Sequence, residues 1–209
     1  MCYSVQQKAT IKELTEKFNA GFQLPQLYSP KDIINGFDFP LLPVLTTADT
    51  TMFQFMNWGL IPHWAKDAEI RKNTLNAKLE TIEEVSSFKD VVENRCILPV
   101  TGFYEWKWLD SKGKRKEKYI IQTEDKVFGL AGLHSKWMNP KNGEIVESFS
   151  LLTTAANEIM AEIHNIKKRM PLIMDADQSI IWLKKGNINL NHQLKPSCIE
   201  SDGQFDLFG

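Results

Sequence analysis

Apolar side chains recur at every second position along much of this chain, in short runs bounded by glycine, proline and charged residues. Thr51 to Leu60 shows the pattern: Met52, Gln54 and Met56 fall on one face, Phe53, Phe55 and Asn57 on the other. Period-two alternation of this kind predicts a strand. Further strands are predicted over Cys2–Val5, Arg95–Val100, Phe103–Trp108, Lys118–Thr123, Val127–Leu133, Ile145–Leu152 and Met170–Met174. Helical spacing is rarer. The capping box Thr10–Glu13 precedes the stripe Ile11, Leu14 and Phe18, ending before Gly21. A second box, Thr81–Glu84, predicts a helix with the stripe Ile82, Val85, Phe88 and Val92. Thr154 is expected to cap a third helix running through His164. Asp175 opens a last one (Ile180, Ile181, Leu183) that Gly186 stops. Pro25, Pro30, Pro40 and Pro43 mark an irregular stretch. Many strands with few helices between them argue against a βαβ repeat. They predict an α+β fold: one compact domain of mainly antiparallel sheet over residues 1–186, followed by a polar, loosely held tail over 187–209.

Composition narrows the class. Of 209 residues 43% are hydrophobic, with 12 Phe and 6 Trp, enough for one substantial core. No apolar run approaches a membrane span, and MCYSVQQKATIKEL has neither the basic nor the apolar block of a signal peptide. Cys2, Cys96 and Cys198 form no close pair, so neither a disulfide frame nor a zinc knuckle is indicated. A cytoplasmic protein with reduced thiols and no metal or cofactor is expected. The net charge of −1 does not announce a nucleic-acid binder, yet the basic residues are bunched. Lys112, Lys114, Arg115, Lys116 and Lys118 read as a solvated hairpin turn around Gly113. Lys66, Arg71, Lys72 and Lys78 form a loose group, and Lys167, Lys168 and Arg169 a tight one. Both flank the motifs below and suit a phosphate path.

Cys2 and four further segments carry the candidate chemistry, the segments because they are poor solutions to packing alone. Cys2 stands directly after Met1, and cysteine is small enough for methionine aminopeptidase to remove the start residue. The exposed end would be a 1,2-aminothiol. Its α-amine, with an ordinary pKa of about 8, is far more nucleophilic near neutral pH than lysine. Such a pair suits an aldehyde: the amine captures it as a Schiff base and the thiol closes a thiazolidine ring. Trp58-Gly59-Leu60-Ile61-Pro62-His63-Trp64-Ala65 holds rigid aromatics that are either core or platforms for unpaired bases. Asn76-Ala77-Lys78-Leu79-Glu80-Thr81 places polar groups in a connector, where Asn76 also fits an ordinary turn or cap. In Gly102-Phe103-Tyr104-Glu105-Trp106 a carboxylate sits among aromatics, which suits a general acid/base; read alone, Glu105 equally fits a partner of Lys107 or Lys118. His164, before Arg169-Met170-Pro171, equally fits a helix-terminal histidine.

In this order the motifs closely resemble the SRAP (SOS response-associated peptidase) family, from Cys2 to about Leu183. That family includes bacterial and eukaryotic proteins that shield abasic sites in single-stranded DNA by covalent attachment. The resemblance implies a barrel-like domain and the following roles. Cys2 is the crosslinking nucleophile, and Asn76 orients its amine. Glu105 shuttles protons during Schiff-base formation, β-elimination or reversal, and His164 assists opening of the sugar ring. The DNA-binding set would be Trp58, Pro62, Trp64, Lys66, Arg71, Lys78, Thr154, Lys168 and Arg169. The chain departs from the family pattern at Tyr3 and Ser4, where glycine and arginine are common. Lys78 stands for a common arginine, and Asn165–Lys168 intervene between the histidine and Arg169.

Gln204, Phe205, Leu207 and Phe208 resemble the short peptide by which bacterial repair proteins dock on the polymerase sliding clamp. The expected partner is single-stranded DNA carrying abasic sites, bound on the nucleoid, with no membrane. Two other readings stand beside this one: a cysteine peptidase limited to its own N-terminus, and a non-catalytic single-strand binder. A zinc base-deaminase is disfavoured, since there is no Cys-x-x-Cys pair and no His-x-Glu.

Overall fold

The computed structural model describes residues 2–186 and 193–199. The chain starts with β1 (Ser4–Gln7), α1 (Ile11–Phe18), β2 (Gly21–Phe22) and β3 (Lys31–Asn35). It continues through β4 (Leu41–Thr46), β5 (Met52–Trp58), β6 (Asn76–Lys78), β7 (Arg95–Val100) and β8 (Gly102–Trp108). Then follow β9 (Lys116–Thr123), β10 (Phe128–Met138), β11 (Ile145–Ala155), α2 (Glu158–Ile163), β12 (Arg169–Pro171) and β13 (Ile173–Met174). α3 (Ala176–Leu183) and β14 (Leu194–Ile199) complete it. The strand-rich α+β reading holds. Among the described residues no helix is long and apolar enough to cross a membrane.

One sheet has the order β14-β9-β8-β1-β3. The other closes on itself. Its strands run antiparallel in the order β11-β10-β7-β4-β5, and β11 returns to β5 in parallel through Ser148↔Asn57 and Phe149↔Trp58. The result is a five-strand barrel. Closure removes the barrel's open edges. Alternate residues of its strands sort into two apolar clusters. Val44, Cys96, Leu98, Leu130, Phe149 and Leu151 meet Val5, Phe103 and Ile121 of the first sheet. Leu45, Ile97, Ala131 and Leu152 meet Leu14 and Phe18 of α1 and Trp182 and Leu183 of α3. Both faces are buried, so these strands read as nearly continuous apolar runs.

Local signals decide most boundaries. The Thr10/Glu13 capping box is present, and Asp175 caps α3 through the Gln178 amide. Asp110 accepts from the amides of Lys112, Lys114 and Arg115, so that basic bunch is a hairpin turn, as expected. Two helix assignments need correction. Residues after Thr81 form turns and a 3-10 segment (Lys89–Val91), not a helix. Ile82 and Phe88 are buried as the stripe requires, but Ser86-Ser87 favours turns, and the Ser86 carbonyl accepts from the Trp64 indole at 3.2 Å. Thr154 lies in β11, held there by pairing with β12; Asn157 is the cap, accepting from the Met160 amide at 2.9 Å. Past Gly186, Leu194–Ile199 adds an antiparallel edge strand to β9, which the polar composition does not foretell.

Candidate active site at the N-terminal strand

β1 lies between β3 and β8, with Ser4 opposite Tyr104. Cys2 just precedes β1, close enough to Glu105 of β8 for that carboxylate to act on its thiol. The Cys2 side chain is fully enclosed, and its Sγ lies 3.9 Å from the Ser4 carbonyl oxygen. Burial, and next the charge of Glu105, push the thiol well above its usual range. The thiol is therefore neutral, the opposite of the lowered-pKa cysteines that act as thiolate nucleophiles.

Asn76 arrives from the opposite side. β6 pairs in parallel with β11 (Leu151↔Asn76), continuing the edge along which β5 closes the barrel. From there Asn76 Nδ2 donates to the Cys2 carbonyl at 2.8 Å. Its Oδ1 is buried and has no hydrogen-bond partner among the described residues.

His164 caps the C-terminus of α2, which packs on β8. Its Nδ1 is 4.0 Å from Glu105 Oε2, and both side chains are nearly buried. Nδ1 is held against the Arg169 backbone, 2.7 Å from its carbonyl oxygen and 3.1 Å from its amide nitrogen, which fixes the orientation of the ring. Burial lowers the His164 pKa, Glu105 opposing, so the ring is neutral near pH 7. The four residues between His164 and Arg169 do not turn the ring away. Lys168 N–H donates to the His164 carbonyl at 2.9 Å, and Ala156 N–H to the Lys168 carbonyl at 2.9 Å.

Asn165, which sequence reasoning missed, fixes this arrangement. Its Nδ2 donates to the Trp108 carbonyl at 2.8 Å, while its Oδ1 accepts from the Trp108 amide at 3.2 Å. The residue after the histidine is thus clamped to the strand that carries the glutamate. Its adjacency to His164 was the only signal. Asn165→Ala is expected to lower stability by roughly 1–3 kcal/mol, read by denaturant unfolding, because two backbone groups lose their partner.

The expected DNA-binding residues do not share one surface. Trp58 is fully buried, its Nε1 donating to the Leu75 carbonyl at 2.9 Å and its ring stacked on Phe149. It offers no face to a base. Pro62 is buried too. Trp64 is 46% exposed, and Lys66, Lys78 and Lys168 are exposed. The Arg71 guanidinium lies 4.0 Å from the centre of the Phe39 ring. Gly59 permits this approach: at φ 115° it has no Cβ, and one there would meet Arg71 Cβ and Phe39 Cδ1 at 3.0 Å.

Arg169 grips Glu80 with both terminal nitrogens (2.9 and 2.8 Å) and donates to the Thr153 carbonyl at 2.6 Å; Thr154 Oγ1 joins Glu80 at 3.3 Å. These two side chains and Glu80 form one ion-pair and hydrogen-bond network. Arg169 holds the Glu80 carboxyl down to about 2, against an ordinary 4.5. A depressed carboxylate contributes stability above about 4.5 that is lost as pH falls toward 2. The Glu80 side chain is 47% exposed, so the effect is small. Acid unfolding of Glu80→Gln should show a shallower pH dependence in that window.

A single α+β domain built around a barrel, with a cysteine, asparagine, glutamate and histidine gathered at its N-terminal strand, defines the class. The chain belongs to the SOS response associated peptidase (SRAP) family, whose model matches residues 1–204. It is 35% identical over 177 residues to the abasic site processing protein YoqW of Bacillus subtilis (84% of this chain, 76% of that one). It is 31% identical over 170 residues to the abasic site processing protein HMCES of Mus musculus (67% of this chain, 47% of that one). A crystal structure of a protein from Bacteroides thetaiotaomicron superposes with a TM-score of 0.84 at 29% identity, over 96% of this chain and 93% of that one.

Proposed function

We propose that this protein, once residue 1 has been removed, binds single-stranded DNA and joins covalently to abasic sites through Cys2. The names of the relatives supply the substrate class, and the residues around Cys2 supply the chemistry. One observation carries the reading. Asn76 donates to the Cys2 carbonyl and keeps its own amide oxygen unfilled among the described residues, while Glu105 acts on the Cys2 thiol and lies 4.0 Å from His164. That acceptor suits an N–H of the freed Cys2 amine.

The abasic sugar reacts as its open-chain aldehyde. A neutral His164 takes up and returns the proton that moves when the ring opens. The Cys2 amine adds to the aldehyde carbon, and Glu105 protonates the hydroxyl of the carbinolamine, which leaves as water. The thiol then adds to the imine carbon, its proton passing to nitrogen, and closes the thiazolidine. Aldehyde and aminothiol thus give the ring and one water. A neutral thiol fits this order, because the amine attacks first and sulfur acts only at the imine. Before sulfur adds, the imine makes the neighbouring sugar proton acidic, so base-assisted β-elimination and strand scission are a side branch. The same neutral thiol and neutral imidazole disfavour a general cysteine peptidase, which needs a thiolate. Excision of residue 1 is the one cleavage the reading requires.

The test compares two preparations on an abasic single strand: protein freed of Met1, and protein whose residue 1 is retained. Only the first should give an adduct that survives denaturing electrophoresis. With residue 1 attached, the Cys2 nitrogen is an amide. Equal adduct from both would remove the aminothiol from the account. The clamp-docking residues Gln204, Phe205, Leu207 and Phe208 lie outside the described residues. Clamp tethering is part of the proposal, and a peptide of residues 201–209 that fails to bind a purified bacterial clamp would remove it.

A further inference from the structure

The residue after the nucleophile is an aromatic, and it carries a second aromatic that the chemistry above does not use. Tyr3 and Phe37 have ring centres 4.9 Å apart at an interplanar angle of 36°. Tyr3 is half-buried, yet Phe37 is 49% exposed. An exposed ring is ordinary on a loose loop, but this turn is pinned. Phe37 N–H donates to Asn35 Oδ1 at 3.1 Å, Gly36 N–H to the Tyr3 carbonyl at 2.8 Å, and Phe39 N–H to the Gly36 carbonyl at 3.0 Å. Gly36 also sits flat on the Trp58 ring, where a Cβ would stand 3.2 Å from its atoms. The turn is therefore tied both to the strand bearing Cys2 and to the core, and it presents a fixed aromatic face to solvent.

We propose that Phe37, backed by Tyr3, is a stacking ledge for the base adjoining the abasic position in single-stranded DNA. The site then reads a neighbouring base as well as a missing one. The inference rests on the function proposed above and specifies how that site selects its strand. Three observations support it. Tyr3 follows Cys2 directly, so a sugar held at Cys2 has its neighbouring nucleotide within reach of the pair. The pairing of Ser4 with Tyr104 sets Tyr3, one residue earlier, against the neighbouring position Glu105 of β8, and burial and that carboxylate both push the Tyr3 hydroxyl above its ordinary range. The same turn carries Phe39 with the Arg71 guanidinium on its ring, a fixed cation for the backbone of a strand lying on the ledge. Flat apolar faces beside a cation suit unpaired bases, since every base has a π-face to stack.

The experiment measures equilibrium binding to single strands containing tetrahydrofuran, a baseless sugar that cannot form an imine. In one strand this residue is flanked by bases; in the other its neighbours are also tetrahydrofuran. The parent protein should bind the base-flanked strand more tightly. Phe37→Ala should weaken that binding about tenfold while leaving binding to the baseless-flanked strand almost unchanged. Phe37→Trp should restore the preference, which also shows that the turn has survived substitution. Equal losses on both strands, no loss at all, or a parent that does not distinguish them would overturn the ledge. The strands cannot crosslink, so these outcomes bear on the ledge alone. Failure of the parent to form an adduct with a true abasic strand would count against the proposed function instead.

Discussion

Under the proposed function, Cys2→Ala is expected to abolish the adduct that survives denaturation while leaving the protein able to form a transient imine. Alanine is also small enough for residue 1 to be removed, so the variant keeps a free α-amine. That amine can still condense with the aldehyde, assisted by Asn76, Glu105 and His164. With no sulfur to close the ring, the imine hydrolyses when the complex is denatured. Borohydride present during the reaction should trap it, and strand scission should rise, because the imine persists where elimination can compete. The expected loss of stable adduct is complete, not graded. The Cys2 side chain is wholly enclosed, so its removal leaves a small void and costs on the order of 1 kcal/mol. Thermal unfolding of the variant therefore separates lost chemistry from lost fold. A Cys2→Ala protein that still gives a stable adduct would move the crosslink to another residue.

Trp58→Ala is expected to produce the largest loss of stability of any single substitution near the site, about 3–5 kcal/mol. Typical domains have only about 5–15 kcal/mol in total. The ring is fully enclosed, stacked on Phe149 at an interplanar angle of 12°, and opposite that residue in the β5–β11 register that closes the barrel. Its indole N–H satisfies the carbonyl of Leu75, the residue before Asn76. The substitution thus opens a cavity at the barrel's closing pair and frees the backbone that holds the asparagine. Crosslinking should fall with stability, through the fold and not through a lost stacking surface. Trp58→Phe keeps most of the packing but leaves the Leu75 carbonyl unpaired, a smaller loss of about 1–3 kcal/mol. Trp64→Ala, at an exposed side chain, should change stability by less than about 1 kcal/mol. Denaturant unfolding of the three variants checks the ranking.

The contrast between these tryptophans shows what is legible in the sequence. Both flank the same Gly/Pro turn, and nothing local separates a core indole from an exposed one. Trp58 is buried because β5 meets β11, some ninety residues later in the chain. Pairing at that distance leaves no trace in a short window. The long strands β7 to β11 were readable because alternation and apolar runs are local consequences of burial. The expected helix after Thr81 failed, and its apolar stripe was only half right: Ile82 and Phe88 face the core from turns, Val85 is exposed, and Val91 is buried where Val92 was expected. Thr154 looked like a cap, but pairing of β11 with β12 keeps it in a strand, and the cap falls at Asn157.

The candidate site was readable to a different extent. Cys2, Asn76, Glu105 and His164 were singled out from their motifs, and the fold brings all four to one place. Their mutual geometry was not readable. Asn165 was invisible as a support, since its role depends on where Trp108 lies. The protein partners of the basic residues were the least legible part. Arg169 has the charge expected of a DNA contact, but Glu80 holds it in a two-pronged ion pair. A cation's partner is set by the fold, and charge counts along the chain do not reveal it.

Intact-mass measurement of the protein–DNA adduct, followed by mapping of the attached peptide, tests the central claim most directly. The account predicts a species equal to the protein lacking residue 1, plus the abasic strand, minus one water, with the strand on the peptide that begins at Cys2. An adduct that retains residue 1, or one attached through a lysine, would contradict it.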